Sequence, residues 1–210
     1  MSQLILVRHG QSEWNALGIW TGWNDINLNE KGKNEAKEAA YAIKDIPIHT
    51  VFVSDLKRSQ QTYQEIKNAL HLENIPVIIA SELKERNYGD LAGKNKWKVK
   101  EEFGEKQFMQ WRRGWNTPIP NGESLKDVFE RAVPYYKKTI VPLLKAGKSV
   151  LISGHENSLR ALVKYLETIP DDAIESLEIG TGEVYVYSFD AQGTIQSKEI
   201  RSVNKEKAKF

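Results

Sequence analysis

His9 stands between Arg8 and Gly10, and His155 stands between Gly154 and Glu156-Asn157-Ser158. A neutral imidazole is a good nucleophile near pH 7 and can carry a covalent intermediate. An arginine beside it offers a rigid fork of donors suited to phosphate oxygens. Nucleophile and anion clamp side by side point to phosphoryl transfer. Gly10 would permit a tight turn and close approach of a ligand to the backbone. The competing readings are a strand end with a turn at Arg8-His9-Gly10, and a core histidine at 155. The small, polar "GHENS" lies between a strand-like run and a helix-like run, where helix N-terminal amides favour an anion. That context prefers chemistry at both histidines.

Further basic residues could complete an anion pocket. Arg58 follows "SDLK" at a strand-to-helix junction, and Arg112-Arg113 lies between Trp111 and Trp115. A single arginine is usually a solvated charge, but a pair flanked by tryptophans is less readily assigned to the surface. Phosphoryl transfer also needs a general acid for the leaving oxygen. No cysteine or spare histidine is placed for that work, which draws attention to Glu85. His49, before a strand, and His71, near a helix end, read as surface residues. Four histidines without cysteine or an HxxxH spacing make a metal site a poor expectation.

The elements that must position these residues follow from periodicity. Apolar runs predict strands at 3–8, 50–53, 76–80 and 149–153, with later strands at "VYVYSF" and "IQSKEI". Ala36, Ala39, Ala40 and Ile43 recur at helical spacing, predicting a helix over about 30–45. Another helix is expected over about 57–70. Ser124 with Asp127 reads as a capping box opening a helix with an apolar stripe through Leu125, Val128, Phe129, Ala132, Val133 and Tyr136. Pro134 lies inside it and is expected to bend it. Leu159, Leu162, Val163 and Leu166 mark one more amphipathic helix. Strands alternating with helices predict an α/β fold, a mainly parallel central sheet with helices on both faces. In such sheets ligands sit beyond the carboxyl ends of the strands. His9 and His155 each follow a predicted strand, so both could share one crevice.

Composition narrows the class. The chain has 210 residues, 40% of them hydrophobic, enough for a core. Residues 1–210 read as a single domain, with 81–122 as an irregular active-site insertion and 201–210 as a flexible charged tail. The best helical pieces of the insertion are "KWKVKEEFG" and "EKQFMQWRRG". With no cysteine, disulfides and thiolate catalysis are excluded and a reducing compartment is favoured. No apolar run approaches the roughly 20 residues of a membrane span, and residues 1–7 are too short for a signal peptide. A cytoplasmic protein without membrane partner is expected. Thirty basic and 28 acidic residues leave a formal charge of +2, which does not suggest a nucleic-acid partner.

The segments "VRHGQSEWN", "TGWNDINLNEKG", "SDLKRSQQT", "LKERNYGDLAGKNK", "QWRRGW", "PNGESLKDVFERAVPYY" and "GHENSLRALVKYLE" occur in this order. Together they resemble the cofactor-dependent phosphoglycerate mutases of the histidine phosphatase superfamily, from residue 3 to about 200. The resemblance implies that His9 carries the phosphoryl group and that Arg8, Arg58 and His155 surround it. It implies Glu85 as proton donor and acceptor for the substrate hydroxyl. It assigns Asn15, Thr21, Gly22, Arg86, Tyr88, Lys96, Arg112, Arg113 and Asn157 to the phosphate and carboxylate of the substrate. The implied reaction interconverts 2- and 3-phosphoglycerate, a small phosphorylated substrate, primed by 2,3-bisphosphoglycerate and without metal. A substrate anionic at both ends needs more than one cationic anchor, and Lys96 with Arg112-Arg113 would supply the second.

Two departures stand out. Longer family members carry an additional segment after the arginine pair, which helps some of them associate; here Arg113 reaches "PNGESL" within a few residues. A monomer is therefore plausible and a homo-oligomer possible. Second, the family pattern after the second histidine is Gly-Asn-Ser, where this chain has Glu156. The expectation is that Glu156 presents its backbone amide to the ligand and turns its carboxylate away, to solvent or to a nearby Lys or Arg. A phosphatase passing the phosphoryl group to water is the alternative activity. A silent phospho-ligand sensor is disfavoured by the intact set of His9, Arg8, Arg58, Glu85 and His155.

Overall fold

The computed structural model describes residues 1–205. Strands β1 (Ser2–Arg8), β2 (Thr50–Val53), β3 (Val77–Ile79), β4 (Val150–Gly154), β5 (Val184–Phe189) and β6 (Ile195–Ser202) form one sheet in the order β3-β2-β4-β1-β5-β6. The first four in that order are mutually parallel, whereas β5 runs antiparallel to β1 and β6 antiparallel to β5. The mainly parallel α/β sheet expected from the alternation is thus present, with an antiparallel pair closing one side.

Side-chain alternation along each strand divides the core. Leu4, Leu6, Phe52, Val150, Ile152, Tyr185 and Tyr187 point to one face. There they meet α5 (Leu125–Tyr135), α6 (Val141–Lys145) and α7 (Glu156–Glu167) through Ala132, Val133, Leu144, Leu159, Leu162 and Val163. Ile5, Val7, Val51, Val53, Leu151, Val184 and Val186 point to the other face. They pack on α2 (Glu30–Ala42) and α3 (Lys57–Leu70), with Ala39, Ala40, Tyr63 and Ile66 among the buried contacts. A period of two is what a sheet covered on both faces requires of its strands. The apolar run through 76–80 ends differently: β3 is an edge strand, and Val77, Ile78 and Ile79 are exposed.

A short helix, α1 (Glu13–Ala16), follows β1. Between β3 and α5, the irregular stretch contains α4 (Lys96–Arg113), broken at Gly104 by φ 78° and ψ 160°. The two predicted helical pieces meet at that glycine. Trp20, Tyr88, Leu91, Val99, Phe108, Trp111 and Ile119 make a separate small core beneath it. The Ser124–Asp127 capping box forms: the Asp127 amide donates to Ser124 Oγ at 3.2 Å and the Ser124 amide to Asp127 Oδ2 at 2.8 Å. After Pro134 the helix passes into a π-helical turn, Tyr136–Ile140, before α6. This is where a missing amide donor disturbs the regular ladder.

The beginning of the expected tail is not frayed. Arg201 and Ser202 belong to β6, and Arg201 pairs with Asp45 at 2.6 Å. Residues 206–210 lie outside the described residues.

Candidate active site

Register brings the two histidines together. β1 and β4 pair with Arg8 opposite Gly154, so the next residues, His9 and His155, leave adjacent strand ends. The His9 amide extends the ladder by donating to Gly154 O at 2.9 Å. The rings lie edge to face, 5.0 Å apart between centroids and 60° between planes. His9 Nδ1 lies 2.7 Å from Gly10 O. A carbonyl accepts only, so Nδ1 carries the proton and Nε2 keeps its lone pair. His155 Nε2 shares a 2.7 Å hydrogen bond with Ser54 Oγ, just past the end of β2. Burial, followed by the Arg58 and Arg8 charges, holds His9 well below the ordinary imidazole range. Burial and Arg58 do the same to His155. Both rings are therefore neutral near pH 7, as a nucleophile requires.

Gly10 also meets a packing constraint that the sequence did not reveal. A Cβ there would collide with the Gly32 carbonyl at the start of α2. The glycine serves backbone packing beneath the site, while its amide is held by Thr62 Oγ1 at 3.1 Å.

Arg58, at the start of α3, is fully buried and reaches the loop after α1, donating to Gly22 O at 2.7 Å and Asn24 O at 2.9 Å. Burial pulls it down to about 10, with Glu85 opposing the shift. Glu85 is held from three directions. Its Oε1 accepts from the Arg86 amide at 2.7 Å, the Asn157 amide at 3.2 Å and Asn157 Nδ2 at 2.9 Å. The anion attracted to the N-terminus of α7 is thus a carboxylate of the chain itself. Asn157 Nδ2 also donates to Tyr88 Oη at 2.9 Å. Arg131 and Trp23 hold the Glu85 carbonyl, at 2.9 and 2.8 Å.

Arg8, His9, Asn15, Thr21, Arg58, Glu85, Tyr88, Lys96 and Glu156 line one chamber together with Ile19. Asn15 Oδ1 is occupied by Ser12, leaving its amide nitrogen as its donor. An outer chamber shares Arg8, Asn15, Lys96 and Glu156 and adds Arg112. Burial and Arg112 bring Lys96 down to about 8. Arg86 does not line either chamber. It is fully buried, donates to the carbonyls of Trp111 and Arg112 at 2.5 and 3.3 Å, and sits over the Tyr88 ring. Gly22 contributes its carbonyl to Arg58, and Asn157 its amide groups to Glu85.

Glu156 turns to nearby arginines, one of the two directions expected of it, and still lines the chamber. Its carboxylate stays at the chamber wall, Oε1 2.5 Å from Arg113 Nη1 and Oε2 3.2 Å from Arg8 Nη1. Burial would raise this carboxyl, but Arg8 and Arg113 outweigh it and hold it well below the usual carboxylate range. Arg113 is 5% exposed and pairs through Nη2 with Glu178. Sequence reading did not single out Ser54, Arg131, Glu178 or the buried Arg160, which donates to Asn157 Oδ1 and to the carbonyls of Arg113 and Ile174. None has a local pattern; each gains its role from partners distant in the chain.

Strand order, paired histidines and flanking arginines define a class, and the family comparison agrees. Residues 4–201 match the histidine phosphatase superfamily (branch 1), and the chain belongs to that superfamily. Among its relatives is a 2,3-bisphosphoglycerate-dependent phosphoglycerate mutase of Corynebacterium diphtheriae, 44% identical over 218 residues, covering 92% of this chain and 88% of that one. The phosphoglycerate mutase of Schizosaccharomyces pombe is 45% identical over 199 residues, covering 94% of each. Among solved structures, a mycobacterial glucosyl-3-phosphoglycerate phosphatase shares the fold, with TM-score 0.79, 24% identity and coverage of 97% of this chain and 98% of that one.

Proposed function

We infer that the protein is a 2,3-bisphosphoglycerate-dependent phosphoglycerate mutase, interconverting 2- and 3-phosphoglycerate in glycolysis and gluconeogenesis. The observation that carries this reading is the chamber itself. His9 presents a free Nε2, Glu85 lines the same wall, and Lys96 and Arg112 continue the cationic lining outward. Relatives more than 40% identical across nearly the whole chain support it.

When bound, 2,3-bisphosphoglycerate would supply the phosphoryl group that first charges His9 Nε2. The free hydroxyl of the incoming monophosphoglycerate then attacks that phosphorus, Glu85 takes the hydroxyl proton, and the bond to His9 breaks. Arg8 and Arg58 balance charge on the phosphoryl oxygens during the transfer. After the doubly phosphorylated intermediate reorients, His9 Nε2 attacks its other phosphorus, the bond to that substrate oxygen breaks, Glu85 returns the proton to the oxygen, and His9 is charged again. Lys96 and Arg112 hold the intermediate through the exchange, since one that escapes leaves His9 without its phosphoryl group. The residues suit such a group at the His9 end, where the buried Arg8 Nε has no protein partner. We assign the site to one domain over 1–210, acting on a free metabolite in the cytoplasm. No helix among the described residues is long and apolar enough to cross a membrane.

A coupled assay on 3-phosphoglycerate should show turnover that rises on addition of 2,3-bisphosphoglycerate, with an acid-labile phosphoenzyme. His9→Ala should lose both turnover and label. Phosphate release without 2-phosphoglycerate formation would instead favour a phosphatase.

A further inference from the structure

Arg113 is an anchor on the sequence reading, yet it reaches neither chamber. Its two terminal nitrogens face carboxylates, Nη1 that of Glu156 and Nη2 that of Glu178. Glu156 also bridges to Arg8, the cation beside His9. The carboxylate thus spans the gap between the phosphoryl centre and the distal anchor, and it belongs to the walls of both chambers. A ligand with a phosphate at His9 and a second anionic group reaching toward Lys96 would bring that group beside the Glu156 carboxylate. Two anions cannot share one guanidinium edge without repulsion that low-dielectric surroundings strengthen. A ligand with a phosphate and a neutral far end meets this carboxylate only at Arg8, and has no second anion to set against it at Arg113.

We propose that Glu156 is a specificity-determining residue: its carboxylate is a built-in anion that masks Arg113 and must be displaced by the second anionic group of the substrate. It selects against polyanionic ligands relative to monophosphates of the same size. Displacement exposes Arg113 Nη1 to the incoming carboxylate or phosphate while the Glu178 pair keeps the arginine in place. The side chain of Glu156 roots at the first turn of α7, one residue from His155 and from Asn157. Its movement therefore leaves the histidine pair and the Glu85 network in position. The identity of the ligand rests on the mutase reading; the masking rests on the ion pairs alone.

Calorimetric titration of the wild type and Glu156→Gln with 3-phosphoglycerate and with glycerol 3-phosphate tests this. The variant should bind 3-phosphoglycerate at least about tenfold tighter, about 1.4 kcal/mol. Glycerol 3-phosphate should change much less. The unliganded variant should melt lower than wild type, because Arg8 and Arg113 lose their counter-charge, yet gain more on saturation with 3-phosphoglycerate. A merely structural ion pair would lower melting temperature and affinity together. Unchanged or weaker 3-phosphoglycerate binding overturns the proposal, and so does an equal gain for both ligands. Glu156→Gly is read by the same criteria if the glutamine variant does not fold. Pyrophosphate against phosphate repeats the comparison without glycerate, so the masking by Glu156 is tested even in a chain that fails to convert 3-phosphoglycerate.

Discussion

Glu85 shows how a side chain of ordinary type becomes a candidate acid. One of its oxygens, Oε1, takes three donors, two of them from Asn157. The arrangement locks the carboxylate at the chamber wall, and Arg131 locks its backbone. A positioned acid contributes about 10²- to 10⁴-fold. Glu85→Gln should lower kcat by about that factor and leave the KM for 3-phosphoglycerate within a few-fold, because the amide keeps the shape. Steady-state kinetics in the coupled assay check this. A variant with wild-type kcat would remove Glu85 from the proton transfers. Asn157 donates to Glu85 and to Tyr88, so its amide groups help position the carboxylate.

At the scale of elements, two glycines carry different constraints. Gly10 lets the turn after β1 press on the first turn of α2, and the obstacle to any Cβ is backbone. Gly104 has open space around it, but its φ 78° and ψ 160° are nearly closed to other residues. Gly104→Ala should cost about 1–3 kcal/mol, read as a lower denaturation midpoint, with the phosphoenzyme still formed. Gly10→Ala should cost more and also impair phosphorylation, since relieving the collision moves the residue next to His9. Urea unfolding combined with phosphoenzyme labelling separates the two; equal effects on labelling would argue against this division.

Across the whole molecule, buried charge sets the response to pH. His9 and His155 are both held below their ordinary range, first by burial and then by Arg58. The unfolded chain takes up protons at these positions near pH 6.5 while the folded chain resists them. Their contribution is fully present above about pH 6.5 and is lost as pH falls below it, about 1.4 kcal/mol per pH unit for each proton. Glu156, also depressed, adds a loss at lower pH, beginning near the ordinary carboxyl value. The melting temperature should therefore hold between pH 7 and 8 and decline from about 6.5 downward. A flat profile to pH 5 would contradict the neutral buried pair.

Much of this was legible locally. Alternating apolar residues in "LILV" and "VLIS" determine which side chains enter each face of the sheet, because a pleated strand has period two. Helical spacing with the Ser124 and Asp127 cap determines where a helix begins. The residue types of Arg8-His9-Gly10, Arg58 and His155 limit the chemistry to anion handling around a nucleophile. What only the tertiary structure decided is adjacency. That β4 lies beside β1, with Arg8 opposite Gly154, has no local signature, yet it alone makes the two histidines neighbours. The antiparallel direction of β5 and the edge position of β3 likewise have no local signature. The obstacle that demands glycine at position 10 is a backbone carbonyl more than twenty residues away. Glu156 is the clearest case. Its charge is plain in the sequence, but the direction of its carboxylate depends on two arginines delivered by β1 and α4, whose field holds it at the chamber wall when solvation alone would draw it out.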